Sequence, residues 1–276
     1  MKKRIDFLNV IIYLFFGIYV LTILIPVLWT VLTSFKEGTS MFSVSLTDFN
    51  FTLDHYKKLF FETEYLRWFM NTLKIAIINT IVGLFLTTLT AYIFSRYNFS
   101  MKRKIMMNML ILQMFPSFLS MTAIFILLVK MNLIDTYLGL ILVYTGSRIP
   151  FDTWLVKGYF DALPKSLDEA AKTDGAGHLT IFTKIILPLA KPILVFVGLT
   201  GFIGPWLDFI FPTLILRSPE KKTLAMGIFE WITKNSGDEY TLFTAGAIIV
   251  AIPISIFFIV LQKYIAKGLV SGAVKE

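Results

Sequence analysis

The residues able to do chemistry are few and scattered in this 276-residue chain. There is no cysteine, and the two histidines, His55 and His178, lie far apart in predicted loops. A disulfide framework and a thiolate metal site are thereby excluded, and the histidines do not pair into a metal centre. No G-x-x-x-x-G-K-[ST] phosphate loop occurs, no G-x-S-x-G, no H-E-x-x-H, and no carboxylates pair at a pocket-like spacing. If ATP drives this protein, another chain must bind it. The charges Arg148 and Asp208 fall inside otherwise apolar stretches, where they could form a proton or ion relay of an ion-coupled transporter or channel. The simpler reading is a pair of cavity-lining or charge-paired residues. Asp208 also has Trp206 as a near neighbour, and an aromatic ring beside a carboxylate could hold a sugar. Packing between helices explains that pair as well.

The elements that would position these groups are membrane spans. Hydrophobic residues make up 56% of the chain, charged ones 16%, and phenylalanine alone occurs 27 times, more apolar surface than a soluble fold of this length can hide. The chain reads as all-α, one polytopic membrane domain over 1–276. Its six transmembrane helices fall at about 8–32, 69–92, 105–129, 136–159, 192–216 and 242–264, each long enough to cross about 30 Å of hydrocarbon. Pro26 interrupts the first, which is too long for a signal-peptide core. The fourth is the weakest, broken by Gly146, Arg148, Pro150 and Asp152. The fifth contains Gly201, Gly204, Pro205, Asp208 and Pro212, a composition suited to a broken helix at membrane depth. Six spans put both termini on one side. Lysines and arginines on that side outnumber those on the other by 15 to 9, the basic hinge 95–104 included, which places the termini and the loop 160–191 in the cytoplasm. The net charge of +8 thus reads as topology and contact with anionic lipid, with no nucleic-acid partner.

Within that loop one stretch is more than a connector. Ser166-Leu167-Asp168-Glu169 has the form of a capping box, in which the Ser166 hydroxyl accepts from the Glu169 N–H and the Glu169 carboxylate accepts from the Ser166 N–H. The helix it opens runs about two turns before Gly175, the residue best able to close a helix in the left-handed conformation. So short a helix needs a docking partner. Leu167, Ala170 and Ala171 share one of its faces, and the two alanines permit close approach.

The spacing Glu169-Ala170-Ala171, three residues, Gly175, nine residues, Ile185, one residue, Leu187-Pro188 resembles the EAA loop of the membrane subunits of binding-protein-dependent ABC importers. The chain as a whole is similar to the permeases of carbohydrate importers, nearest to the smaller permease of maltose and maltodextrin systems. Phe69-Met70-Asn71-Thr72, Ala91-Tyr92 with Tyr97-Asn98-Phe99, and 154–160 carry that likeness. The resemblance implies half of a sugar translocation path in a bacterial-type inner membrane, paired with a second permease as a heterodimer. Two ATPase subunits holding ATP and Mg, and an extracellular sugar-binding protein, would complete the complex; this chain would bind no cofactor or metal and catalyse nothing. Ser166, Asp168, Glu169, Ala170, Ala171, Asp174, Gly175, Ile185, Leu187 and Pro188 would couple to the ATPase, and the tail residues Gly272, Ala273, Val274 and Lys275 would touch it. Trp206 and Asp208 are the candidates for the substrate path. The outer segment 217–240 mixes aromatics with charge of both signs, as a recognition loop or an anchored interfacial helix would. Its Phe229, Trp231, Lys234 and Asn235 are the candidates for contact with the binding protein.

Overall fold

The computed structural model describes residues 7–38, 49–234 and 239–273. Among these, helices account for all regular structure apart from one isolated β-bridge between Lys36 and Phe51. The chain divides into two compact units, Met1–Leu66 with Ile228–Ile252, and Arg67–Gly227 with Pro253–Glu276.

In the first unit, α1 (Phe7–Ser34) continues through Pro26, whose carbonyl accepts from the Thr30 hydroxyl at 2.9 Å. No residue of its most apolar window is buried, and a helix apolar all round requires lipid or another subunit as its surroundings. Its end is tied to α2 (Asp54–Phe61) by a 2.8 Å hydrogen bond between Ser34 and Tyr56 and by the Phe35 ring, its centroid 5.1 Å from that of Tyr56. His55, predicted in a loop, sits in α2 and is buried, its Nε2 2.8 Å from the Lys36 carbonyl. The first residue of α3 (Tyr65–Arg96), Tyr65, is fully buried and donates to the Gly246 carbonyl of α13 (Tyr240–Ala273) at 2.8 Å.

The second unit carries the rest of α3 and the elements up to Gly227. After the hinge come α4 (Lys102–Gln113) and α5 (Met121–Lys130), predicted as one span over 105–129 but bent by 92°. Pro116 explains the break, since it forces the residue before it away from the helical region. α6 (Tyr137–Ala162) departs the other way, running unbroken through Gly146 and Pro150. Thr136 caps its start by accepting from the Gly139 N–H at 3.0 Å. Arg148 and Asp152, predicted as breakers, lie one turn apart and pair at 3.0 Å, so the charges fasten the helix where Pro150 has removed a backbone bond.

Beyond α7 (Ser166–Thr173) the chain continues as α8 (His178–Thr180), a π-helical turn at Ile181–Ile186 and α9 (Leu187–Leu189). It then bends by 79° into α10 (Lys191–Leu207). The predicted fifth span ends early, at Asp208, and resumes as α11 (Ile210–Ile215). α12 (Leu224–Lys234) follows. Three of the described helices are long and apolar enough to cross a membrane, or up to five if each bent pair counts as one span; α6, with four charged residues, is a further long helix outside that set.

Two clusters form the core of this unit. One gathers Ile75, Leu128, Leu140, Ile141, Tyr144 and Ile215. The other gathers Tyr92, Val156, Phe160, Ala171, Ile181 and Ile186. With lipid as solvent, close packing and internal hydrogen bonds hold such contacts more than apolar transfer does. Close approach is visible at Gly227, where a Cβ would lie 1.9 Å from Cε3 of Trp68. Hydrogen bonds join α3, α6 and α10: Asn79 donates to the Gly201 carbonyl at 3.0 Å, Thr145 to Asn79 at 3.1 Å, and Arg148 to Thr200 at 2.8 Å.

Candidate functional site: the α7 loop

α7 is held from behind and open in front. Of the face predicted from Leu167, Ala170 and Ala171, only Ala171 turns inward, into the cluster of Phe160, Ile181 and Ile186. Leu167, Glu169 and Ala170 are exposed, Leu167 by 38%. The second buried residue of α7 is Asp168. Its Oδ2 lies 2.6 Å from Nε of Arg96, the last residue of α3. Both side chains are nearly withdrawn from solvent, where an ion pair persists only with further bonds around it. On the arginine side these are present, Arg96 donating to the Phe160 carbonyl at 2.9 Å and to the Ser95 hydroxyl at 3.3 Å, while the buried Oδ1 of Asp168 has no hydrogen-bond partner among the described residues. Ser95 in turn donates to Asp161 at 2.7 Å, and Lys157 pairs with the same carboxylate. One guanidinium therefore binds the end of α3, the end of α6 and α7 together.

The predicted capping box does not form. Lys165 occupies the N-cap in helical conformation, no side chain caps the helix, and the Asp168 and Glu169 N–H groups donate to the Lys165 carbonyl. Ser166 is then already inside the helix, too late to cap it, and Glu169 is turned outward. The other end matches the sequence reading. Gly175 has φ +83°, its N–H donates to the Lys172 carbonyl, and the Ala176 N–H donates to the Ala171 carbonyl, the two bonds of a Schellman closure. Asp174, just before, is exposed. In the return segment the motif residues Ile185 and Leu187 are only half-buried and Pro188 is exposed, while Ile181 and Ile186 are the buried anchors. The π-turn moves that face: Pro188 has no N–H to return to the Lys184 carbonyl, and the widened turn ahead of it shifts the helical phase.

Trp206 is packed within this chain, 3% exposed and edge-on to Phe69 at 5.1 Å. Asp208 stands at the α10–α11 break. One oxygen accepts from the Ile210 N–H at 2.8 Å, and the other from the Tyr144 hydroxyl at 3.0 Å. Trp231 is likewise buried, stacked on Tyr65 with ring centroids 6.3 Å apart, whereas Phe229 is 43% exposed. Lys234 ends α12, and its side chain, like Asn235, lies outside the described residues. α13 reaches Gly272 and Ala273, and Val274 and Lys275 lie outside the described residues.

Among the described residues the chain is helical apart from one β-bridge, with several helices apolar enough for a multi-pass membrane protein and one short exposed helix, α7, braced against the ends of α3 and α6. Residues 79–271 match the family described as "Binding-protein-dependent transport system inner membrane component", and the chain belongs to that family. It is 42% identical over 265 residues to the maltodextrin transport system permease protein MdxG of Bacillus subtilis (strain 168), covering 95% of each chain. It is 41% identical over 266 residues to the galactooligosaccharides transport system permease protein GanQ of the same organism, covering 95% of this chain and 94% of that one. Its fold matches a crystal structure of a bacterial ABC transporter involved in alginate import with a TM-score of 0.81 at 23% identity, over 96% of this chain and 99% of the other. In this family the ATPase is a separate subunit and the permease has no ATP site of its own.

Proposed function

We propose that the chain forms half of the translocation path of an ATP-driven oligosaccharide importer, with a maltodextrin-like substrate, and that α7 is the helix through which hydrolysis in the ATPase drives alternating access. The observation that carries this reading is the two-sided character of α7, with Leu167, Glu169 and Ala170 exposed while Asp168 and Ala171 bind it to α3 and the core. A push on such a helix is delivered to the spans rather than absorbed by a loop. The substrate class is supported by the relatives named for maltodextrin and galactooligosaccharides.

The six spans are α1, α3, the α4–α5 pair, α6, the α10–α11 pair and α13, with α7 and both termini in the cytoplasm, as the distribution of lysine and arginine favours. ATP and Mg sit on the ATPase pair, which the tail reaches through Gly272, Ala273, Val274 and Lys275. A second permease packs beside this chain. The binding protein meets the outer segment at Phe229, and Asp208, at a helix break, faces the path. An ion relay has less to work with, because Arg148 is paired with Asp152 and Asp208 has both oxygens engaged.

The test is uptake of labelled maltodextrin by vesicles holding the permeases, the ATPase and the binding protein. Uptake should require ATP and survive collapse of the membrane potential. Uptake that persisted without the ATPase and vanished with the potential would reverse the reading.

A further inference from the structure

The basic turn after α3 and the start of α4 face α6 across a groove of about 530 Å³ that the importer mechanism does not use. Its floor is apolar, formed by Met106, Met107 and Leu110 of α4 and the Trp154 ring of α6. Lys102, Arg103 and Lys157 stand around it, and no acidic residue lines it. Lys157 is held by Asp161 and Lys102 reaches the Tyr97 carbonyl at 3.2 Å, whereas Arg103 is exposed with no acidic partner among the described residues. Trp154 is 48% exposed and Met107 54%, and α4 buries none of its residues.

Cations beside an exposed indole and flexible apolar side chains suit neither a soluble anion, which has no use for the floor, nor a neutral lipid, which has no use for the charges. The combination matches the level of a bilayer where headgroup meets acyl chain. Basic pockets between spans on the cytoplasmic side take anionic headgroups. We propose that this groove holds an anionic phospholipid of the cytoplasmic leaflet, its phosphate at Arg103 and Lys102 and an acyl chain along Met106, Leu110 and Trp154. The inference rests on the orientation proposed above, in which the hinge lies at the cytoplasmic face.

The experiment is native mass spectrometry of the intact complex released from nanodiscs containing phosphatidylglycerol and phosphatidylcholine. The wild-type complex should retain phosphatidylglycerol selectively. Lys102→Gln with Arg103→Gln should weaken that retention by roughly fivefold per charge removed, about twenty-five-fold for the pair. Added inorganic phosphate should not displace the lipid. Unchanged retention in the double variant, equal retention of phosphatidylcholine, displacement by phosphate, or a Met107→Cys cross-link to the second permease in place of lipid would each overturn the proposal. The same spectra show whether the ATPase is bound, so failure of the importer reading and failure of the lipid site register as separate masses.

Discussion

Arg96 and Asp168 make the α7 loop part of the membrane domain. Removing one member of a buried pair strands the other, at a cost of about 3–5 kcal/mol. Arg96→Gln should therefore free α7: limited proteolysis within 163–177 speeds up and uptake falls, while the chain still inserts. Arg96→Lys should not restore either property, because Nε faces Asp168 while Nη1 faces Phe160, a fork that a single ammonium cannot reproduce. Full rescue by lysine would show that only charge matters here. Gly175 is a second single-residue test. A Cβ there meets nothing within 4 Å, so any penalty is conformational, about 1 kcal/mol or more for a side chain at φ +83°. Gly175→Asn should be milder than Gly175→Val in ATPase pull-down and uptake, since asparagine tolerates that region; equal effects would point to a lost contact instead. The sequence shows Gly175 and the Glu169-Ala170-Ala171 spacing directly, because both are local. It does not show Arg96 as the partner of Asp168, since one basic residue in a basic hinge looks like topology until the fold brings α7 beneath it.

At the scale of elements, apolar length predicts where helices lie better than it predicts where they bend. The run 105–129 is continuous in hydrophobicity, and only Pro116 marks the turn between α4 and α5. The reverse holds for α6, where Gly146, Arg148, Pro150 and Asp152 look like a break, yet the charges pair along the helix face and keep it whole. The return segment escaped sequence reading for a related reason: a π-turn has no signature except the proline that provokes it. One turn outside the spans offers an element-level test. Asp135, at φ +58°, joins the start of α6 to the segment after α11, accepting from the Ser218 hydroxyl at 2.5 Å, from the Ser218 and Arg217 N–H groups, and from Lys221 at 2.9 Å. The Ser218 hydroxyl foremost, with those N–H groups and Lys221, holds its carboxyl well below the usual carboxylate range. Its folded pKa thus lies below the unfolded value, so the stabilisation is fully present above about pH 4 and is lost as pH falls through the folded pKa. Asp135→Asn, which keeps the backbone conformation accessible, should lower stability near neutral pH by about 1–3 kcal/mol and flatten the acid dependence of the melting temperature. Parallel melting curves for wild type and variant between about pH 3 and pH 7 would refute it.

At the scale of the whole molecule, a passive half-channel moved from outside needs the outward face of α7 to meet an ATPase, as proposed above. The class of protein is legible in composition and in one motif, because both follow from constraints that act on many residues at once. Partner contacts are less legible, because the spacing of Trp206 and Trp231 does not reveal that both rings are packed within this chain. The absence of cysteine from the sequence allows a direct test, since any introduced thiol is unique within this chain. Ala170→Cys places one on the exposed face of α7 and Ala171→Cys places one on the buried face a residue away. In the complex that carries out uptake, a short bifunctional reagent should cross-link position 170 to the ATPase and leave position 171 unlinked. No ATPase adduct at 170, or equal adducts from 170 and from Phe229→Cys on α12, would contradict the account.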